Sequence, residues 1–317
     1  MKKIFTKEFW KAAWDVLKTT FKSFGDDKAM KLSASLAYYT VFSLAPLLIM
    51  IISLAGIFGR EAALQNEIFT ETKGLIGPKA ADQLQDMVKN VALSGESKIA
   101  LITGIVTLLI GATTVFIEMQ DSLNMIWRVK PKPKKGWLAF LKNRLLSSSL
   151  IIGIGFLLIV SLAVNGAVVA LMNVLAKVLP DITLVLINVA NIAISFIVVA
   201  VLFAIIFKFL PDVKIGWKDV RGGALFTALL FIIGRFIIGL YISKSGTEST
   251  YGAAGSLIVI LLWVYYSAAI LYFGAEFTQV YAEKYGKHIR PASYAVHVEQ
   301  KEEEKEVDKL PPQHKED

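Results

Sequence analysis

Six long apolar runs divide the chain, at Ser33–Phe58, Ile99–Ile117, Leu145–Met172, Ile182–Leu210, Gly222–Ser243 and Ala254–Val280. About 20 helical residues span the hydrocarbon of a bilayer. Lipid offers no partner for backbone N–H and C=O groups, so runs of this length are helices, and a barrel would need shorter alternating segments. The pattern predicts an all-α polytopic membrane bundle with six transmembrane helices.

The segments between the runs have patterns of their own. Residues 4–24 read as an amphipathic helix. At about 100° per residue, Lys7, Lys11, Lys18 and Lys22 share an arc of roughly 60°, and Phe5, Phe9, Val16, Leu17, Phe21 and Phe24 lie opposite. Such a helix suits the headgroup boundary, or else packs on the protein's own surface. The 59–98 loop reads as a small external helical loop of two short helices around Gly77-Pro78, where proline suits a first turn. The last residues hold a Lys301–Glu306 charge run and Pro311-Pro312, a disordered pattern. The expected organisation is therefore an N-terminal amphipathic segment at 1–32, a membrane domain at 33–285 and a charged tail at 286–317.

Composition agrees with the spans. The apolar fraction is 55% and the mean hydropathy +0.57. The formal charge is +8. Excess Lys and Arg on a membrane protein marks cytoplasmic segments beside anionic lipid, a better account of this charge than nucleic-acid binding. The base-rich segments are residues 1–32, Arg128–Arg144, Lys208–Arg221 and the stretch after the last run, all on one side of a six-span model, while the 59–98 loop holds five bases against six acids and the other two connections only Lys177 and Lys244. Both termini are then expected in the cytoplasm of a bacterial cell, with the protein in its inner membrane. The first apolar run follows a long charged segment, without the short core and cleavage site of a signal peptide, and reads as a retained helix.

Chemistry is sparse. The chain has no cysteine, which excludes disulfides and thiolate catalysis. His288, His297 and His314 follow the last run in no metal-ligand spacing, and no nucleotide-binding or hydrolase motif occurs. No catalytic residue, metal ligand or cofactor is assigned. Charges inside spans are costly and are candidates for function. Arg235 lies mid-span, and Glu276 near the expected cytoplasmic end of the last helix, too far apart in depth to pair. Glu276 could equally snorkel or form a structural ion pair. Asn165, Asn188 and Asn191 are placed by depth to bond Arg235, or act as glue between helices. Pro46 should kink the first span or free a carbonyl. Tyr38 and Tyr39 complete the candidates along a substrate path. Trp127, Trp137 and Trp217 read as interface anchors.

The stretch Leu36–Pro46, including Ser43, resembles the first-helix signature of the YihY/BrkB family of inner-membrane proteins. So do Ser122–Trp127, with Asn124 and Trp127, and the last span from Tyr251-Gly252 through Trp263 to Gly274 and Glu276. The resemblance covers roughly residues 20–285. It implies a six-helix membrane protein, for which transport or export and envelope or virulence roles have been suggested. The family's former label of ribonuclease BN carries no nuclease residues onto this chain, which lacks the HxHxDH ligand signature of metal-dependent ribonucleases.

The expectation is a transporter or exporter of a small solute or lipid, not an enzyme. The alternative is a membrane scaffold or envelope-assembly factor without a substrate path. The partners expected are the bilayer, with anionic lipid at its cytoplasmic face, and an unknown solute or lipid, but no nucleic acid. A homo-oligomer is left open.

Overall fold

The computed structural model describes residues 7–57, 114–132, 180–244, 255–286 and 289–299. The long elements are helices: α1 (Lys7–Asp26), α2 (Ala29–Ile57), α3 (residues 114–126), α4 (Pro180–Phe209), α5 (Trp217–Lys244) and α6 (Gly255–Tyr285). Four short strands join them: β1 (Val129–Pro131), β2 (Val213–Lys214), β3 (Arg290–Pro291) and β4 (Ala295–His297). Three described helices hold stretches long and apolar enough to cross a membrane, at Ile192–Phe209, Trp217–Tyr241 and Ile258–Tyr285. These fall on the last three predicted spans, and α2 falls on the first. Most of the second and third predicted spans, and the whole 59–98 loop, lie outside the described residues.

Helix α5 shows how such a sequence becomes a membrane helix. Leu225, Leu229, Ile233, Phe236 and Leu240 recur three or four residues apart and are exposed, forming an outward apolar stripe. Its opposite face packs on α6 at very short range. A Cβ on Gly223 would lie 1.8 Å from Thr278 Oγ1, and one on Gly274 would lie 2.0 Å from Thr227 Oγ1. Each threonine therefore occupies the space left by a glycine of the other helix. Each hydroxyl also donates to the glycine carbonyl one turn back in its own helix, Thr227 to Gly223 at 2.7 Å and Thr278 to Gly274 at 2.6 Å. Between membrane helices association depends on such close packing, because lipid is as apolar as the side chains it would replace.

Helix α1 runs antiparallel along the C-terminal half of α6. Asp15 pairs with Lys284 at 2.5 Å, while Phe21 and Phe24 meet Phe273 with ring centroids 4.8 and 5.5 Å apart. Val16 and Thr20 are buried, and Lys7, Lys11, Lys18 and Lys22 are exposed. One face of this amphipathic helix thus docks on the protein itself. Lys28, in the left-handed region at φ 53°, turns the chain from α1 into α2.

Helix α2 runs through Pro46 as a single helix, where the proline still leaves one carbonyl without its intrahelical donor. One sequence expectation is corrected. The segment after α6 is ordered further than expected. Strand β3 pairs with β2, Val213 opposite Pro291, and β4 pairs with β1, Val129 opposite His297. Inward Val129, Val213 and Ala295 give this short polar segment the apolar anchors that its charge content obscures. The pairings, with the Asp15–Lys284 bridge, bring the basic segments of the chain to one end of the bundle, called here the basic end.

Candidate functional site

Polar residues on α6 fall at Tyr272, Glu276, Gln279 and Glu283, spacings of four, three and four that place them on one helical face. The stripe climbs from the exposed Glu283 to the half-buried Gln279, then to Glu276 at 1% exposure and Tyr272 at 0%. At about 1.5 Å per residue it covers roughly 16 Å. Among the described residues the buried side-chain oxygens without a well-formed hydrogen bond are Tyr272 Oη, Glu276 Oε1 and Gln279 Oε1, although the Tyr272 hydroxyl lies beside Ser122 and the Glu276 carboxyl beside that of Asp27. All three lie on this stripe. A buried acceptor without a donor costs about 1–3 kcal/mol, so their alignment calls for an explanation.

The stripe opens into a pocket of about 290 Å³ lined by Ser23, Asp27, Arg128, Glu276, Gln279, Glu283 and His297. Four chain segments meet there. Helix α1 supplies Ser23, the turn after it Asp27, the end of α3 Arg128, and β4 His297. Arg128 reaches Asp27 at 3.4 Å and holds a left-handed φ of 53°, costly for a residue with a Cβ. Its backbone N–H bonds Met125 O at 3.1 Å, closing the helix end. Strain of this kind gathers where a side chain must be aimed.

Beside the pocket, a polar hub ties the basic end together. Asp212 Oδ2 accepts from Asn124 Nδ2 at 2.9 Å, and Asp212 N donates to Asn124 Oδ1 at 2.8 Å. Asp212 Oδ1 accepts from Tyr294 Oη at 3.0 Å and Gln120 Nε2 at 3.2 Å. Burial, then the neighbouring Asp212 charge, pushes the Tyr294 hydroxyl up to about 12. Burial, followed by the Glu118 and Asp212 charges, also raises the Asp121 carboxyl above the usual range. Trp127 Nε1 donates to Ala275 O at 3.1 Å, one residue before Glu276. Trp127 is buried, so it anchors α3 to α6 and is not an interface anchor. Trp217 is exposed, with Lys208 Nζ 5.6 Å from its ring centroid.

The other sequence candidates scatter. Tyr38 and Tyr39 are exposed and meet edge-on at 5.5 Å on α2, away from the pocket lining. Ser43 is buried and donates to Thr40 O at 2.9 Å. Trp263 is half-buried, its carbonyl accepting from Ser267 Oγ at 2.8 Å. Arg235 is exposed and has no ion-pair partner among the described residues. Its neighbour Gly234 abuts Tyr266 and Ile270, which places Arg235 roughly 9–15 Å further along α6 than Glu276. Asn165, Tyr251, Gly252 and Trp137, and the side chains of Pro46, Asn188 and Asn191, lie outside the described residues. Of the described candidates, only Glu276 lines the pocket. Asp27, Arg128, Gln279 and Glu283 were missed because only the three-four spacing on the last helix marked any of them.

Residues 20–297 match the family model described as Virulence factor BrkB. The chain belongs to the BrkB family. Its relatives include UPF0761 membrane proteins of Pseudomonas paraeruginosa, Rhodospirillum centenum and Verminephrobacter eiseniae. The Pseudomonas protein is 27% identical over 264 residues, covering 80% of this chain and 59% of the relative. The Rhodospirillum protein is 26% identical over 276 residues, with 84% and 57% covered. The Verminephrobacter protein is 28% identical over 275 residues, with 85% and 62% covered. The chain thus spans under two thirds of the length of these relatives. No solved structure matches it. In this BrkB-family chain the motif residues Asn124, Trp127, Gly274 and Glu276 converge at the basic end, where Asn124 holds Asp212, Trp127 holds α6, and Gly274 admits Thr227.

Proposed function

We propose that this BrkB-family membrane protein transports a small solute or lipid, and that the polar stripe of α6 is the inner part of its path. The observation carrying this is the pair of buried acceptors without a donor, Glu276 Oε1 and Gln279 Oε1, leading inward from an open pocket toward the buried Tyr272 hydroxyl beside Ser122. Intramembrane polar groups without internal partners suit a path for water or substrate. The basic end then faces the cytoplasm, following the distribution of Lys and Arg, and the termini lie on that side. Arg235 lies off the stripe, so the reading rests on α6 and not on that residue. A scaffold would have no use for unsatisfied groups in this position.

Flux measurements test the reading. Vesicles reconstituted with the full chain are loaded with radiolabelled solutes: a diamine, a quaternary amine, an amino acid and a dicarboxylate. The reading expects at least one to leave faster than from protein-free vesicles, and Glu276→Gln to slow it. Release of every solute at the protein-free rate would favour the scaffold.

A further inference from the structure

The α6 pocket also has a chemical preference. Three carboxyl groups line it, from Asp27, Glu276 and Glu283, against the Arg128 guanidinium and the His297 imidazole. Arg128 is already engaged by Asp27. Glu276 lies carboxyl to carboxyl with Asp27 within hydrogen-bond range, an arrangement in which the two share a proton, and Glu283 has no ion pair among the described residues. Gln279 Nε2 donates to Glu283 Oε1 at 3.2 Å, which fixes the amide and leaves its carbonyl oxygen on the buried side without a donor. Glu276 Oε1, one turn deeper, is likewise without one. The pocket therefore presents a row of acceptors and an excess of negative charge.

We infer that this pocket binds a small organic cation carrying N–H donors, an ammonium-bearing solute whose charge faces Glu283 and the Asp27–Glu276 pair and whose N–H groups bond Glu276 Oε1 and Gln279 Oε1. The inference deepens the transport reading and rests on it for the onward path of the solute. Residues one turn apart on a helix face are about 5–6 Å apart, a spacing that several N–H groups on one molecule can bridge and a single ion cannot. A hard metal ion asks for six or more oxygens drawn close around one point. Among the described residues no group of three His, Cys, Asp or Glu side chains is placed to hold a metal. An anion would meet the carboxylates. The volume, about 290 Å³, falls just below the range for drug-sized ligands, roughly 300–1,000 Å³, and suits a small solute.

The test is binding to the full chain purified in detergent. Radiolabelled diaminobutane is followed by equilibrium dialysis, with tetramethylammonium, magnesium and succinate as unlabelled competitors. Saturable diamine binding is expected. Tetramethylammonium, which has the charge but no N–H, should compete weakly, and magnesium and succinate should not compete at the same concentration. Glu276→Leu, which removes the acceptor oxygen at similar volume, should weaken binding by about tenfold, the loss of one hydrogen bond from a charged donor. The exposed Glu283→Gln, which disturbs no packing, should weaken it in the same direction while the thermal transition stays unchanged. Absence of diamine binding, equal competition by magnesium, or unaltered binding in the folded Glu283→Gln variant would overturn the inference. Diamine binding without flux would keep the cation site and overturn transport. Flux of another solute without diamine binding would keep transport and overturn the cation site.

Discussion

Asn124 and Asp212 exchange two hydrogen bonds, side chain to side chain at 2.9 Å and backbone N–H to side-chain oxygen at 2.8 Å. The pair joins the end of α3 to the connection between α4 and α5, and through Tyr294 to the segment before β4. Both residues are buried, so each group left alone would be a desolvated polar atom. Asn124→Asp replaces the donor facing Asp212 Oδ2 with a second acceptor. It should lower stability by about 3 kcal/mol, the cost of a buried charge without its hydrogen bond, seen as a lower thermal midpoint in detergent. An unchanged midpoint would mean that the hub does not hold the basic end together.

The α5–α6 crossing makes a separate prediction. Gly274→Ala drives a methyl into Thr227, and should cost about 1–3 kcal/mol as overpacking. The double variant Gly274→Ala with Thr227→Gly should recover part of that loss, because it empties the space the methyl needs. Thermal midpoints of the two variants decide it, and equal midpoints would contradict the packing described.

Arg128 separates backbone strain from the ion pair. Arg128→Gly and Arg128→Ala both remove the bridge to Asp27, yet only glycine accepts the left-handed φ without cost. The glycine variant should be the more stable by about 1 kcal/mol. Thermal unfolding of the two side by side checks the order.

Much of the fold was legible because bilayer thickness imposes a length on apolar runs that composition cannot hide. The last three predicted spans lie within a few residues of α4, α5 and α6. The basic segments were legible as a group, and the strand pairings explain how they meet. The α6 stripe was legible only at Glu276, since a charge in an apolar run stands out whereas Tyr272 and Gln279 look ordinary. Asp27 and Arg128 were illegible as a pair, because they are 101 residues apart in the chain and meet only through the packing of α3 on α6. Trp127 was misread because a tryptophan beside a span has the same sequence signature at an interface as in a core.

Tyr294 predicts a response to alkali. Its hydroxyl, raised to about 12, binds its proton more tightly folded than unfolded. The associated stability is present below the ordinary tyrosine value near 10 and is lost as pH rises through about 12. Ultraviolet difference titration should show a tyrosinate step near pH 12 that disappears in Tyr294→Phe. A titration identical in the variant would remove the assignment.

The transport reading is tested most directly by access to the stripe from the two sides of the membrane. The chain has no cysteine, so Gln279→Cys and Tyr272→Cys each introduce a single thiol. A membrane-impermeant maleimide is applied to right-side-out and to inside-out vesicles, with a cysteine at Lys218 as a marker of the basic end. The account predicts that position 279 labels readily from the basic end, and that position 272 labels from that end and, more slowly, from the opposite one. Labelling of position 272 from neither side, with position 279 reactive only from the basic end, would show a closed pocket on a dry bundle and contradict transport.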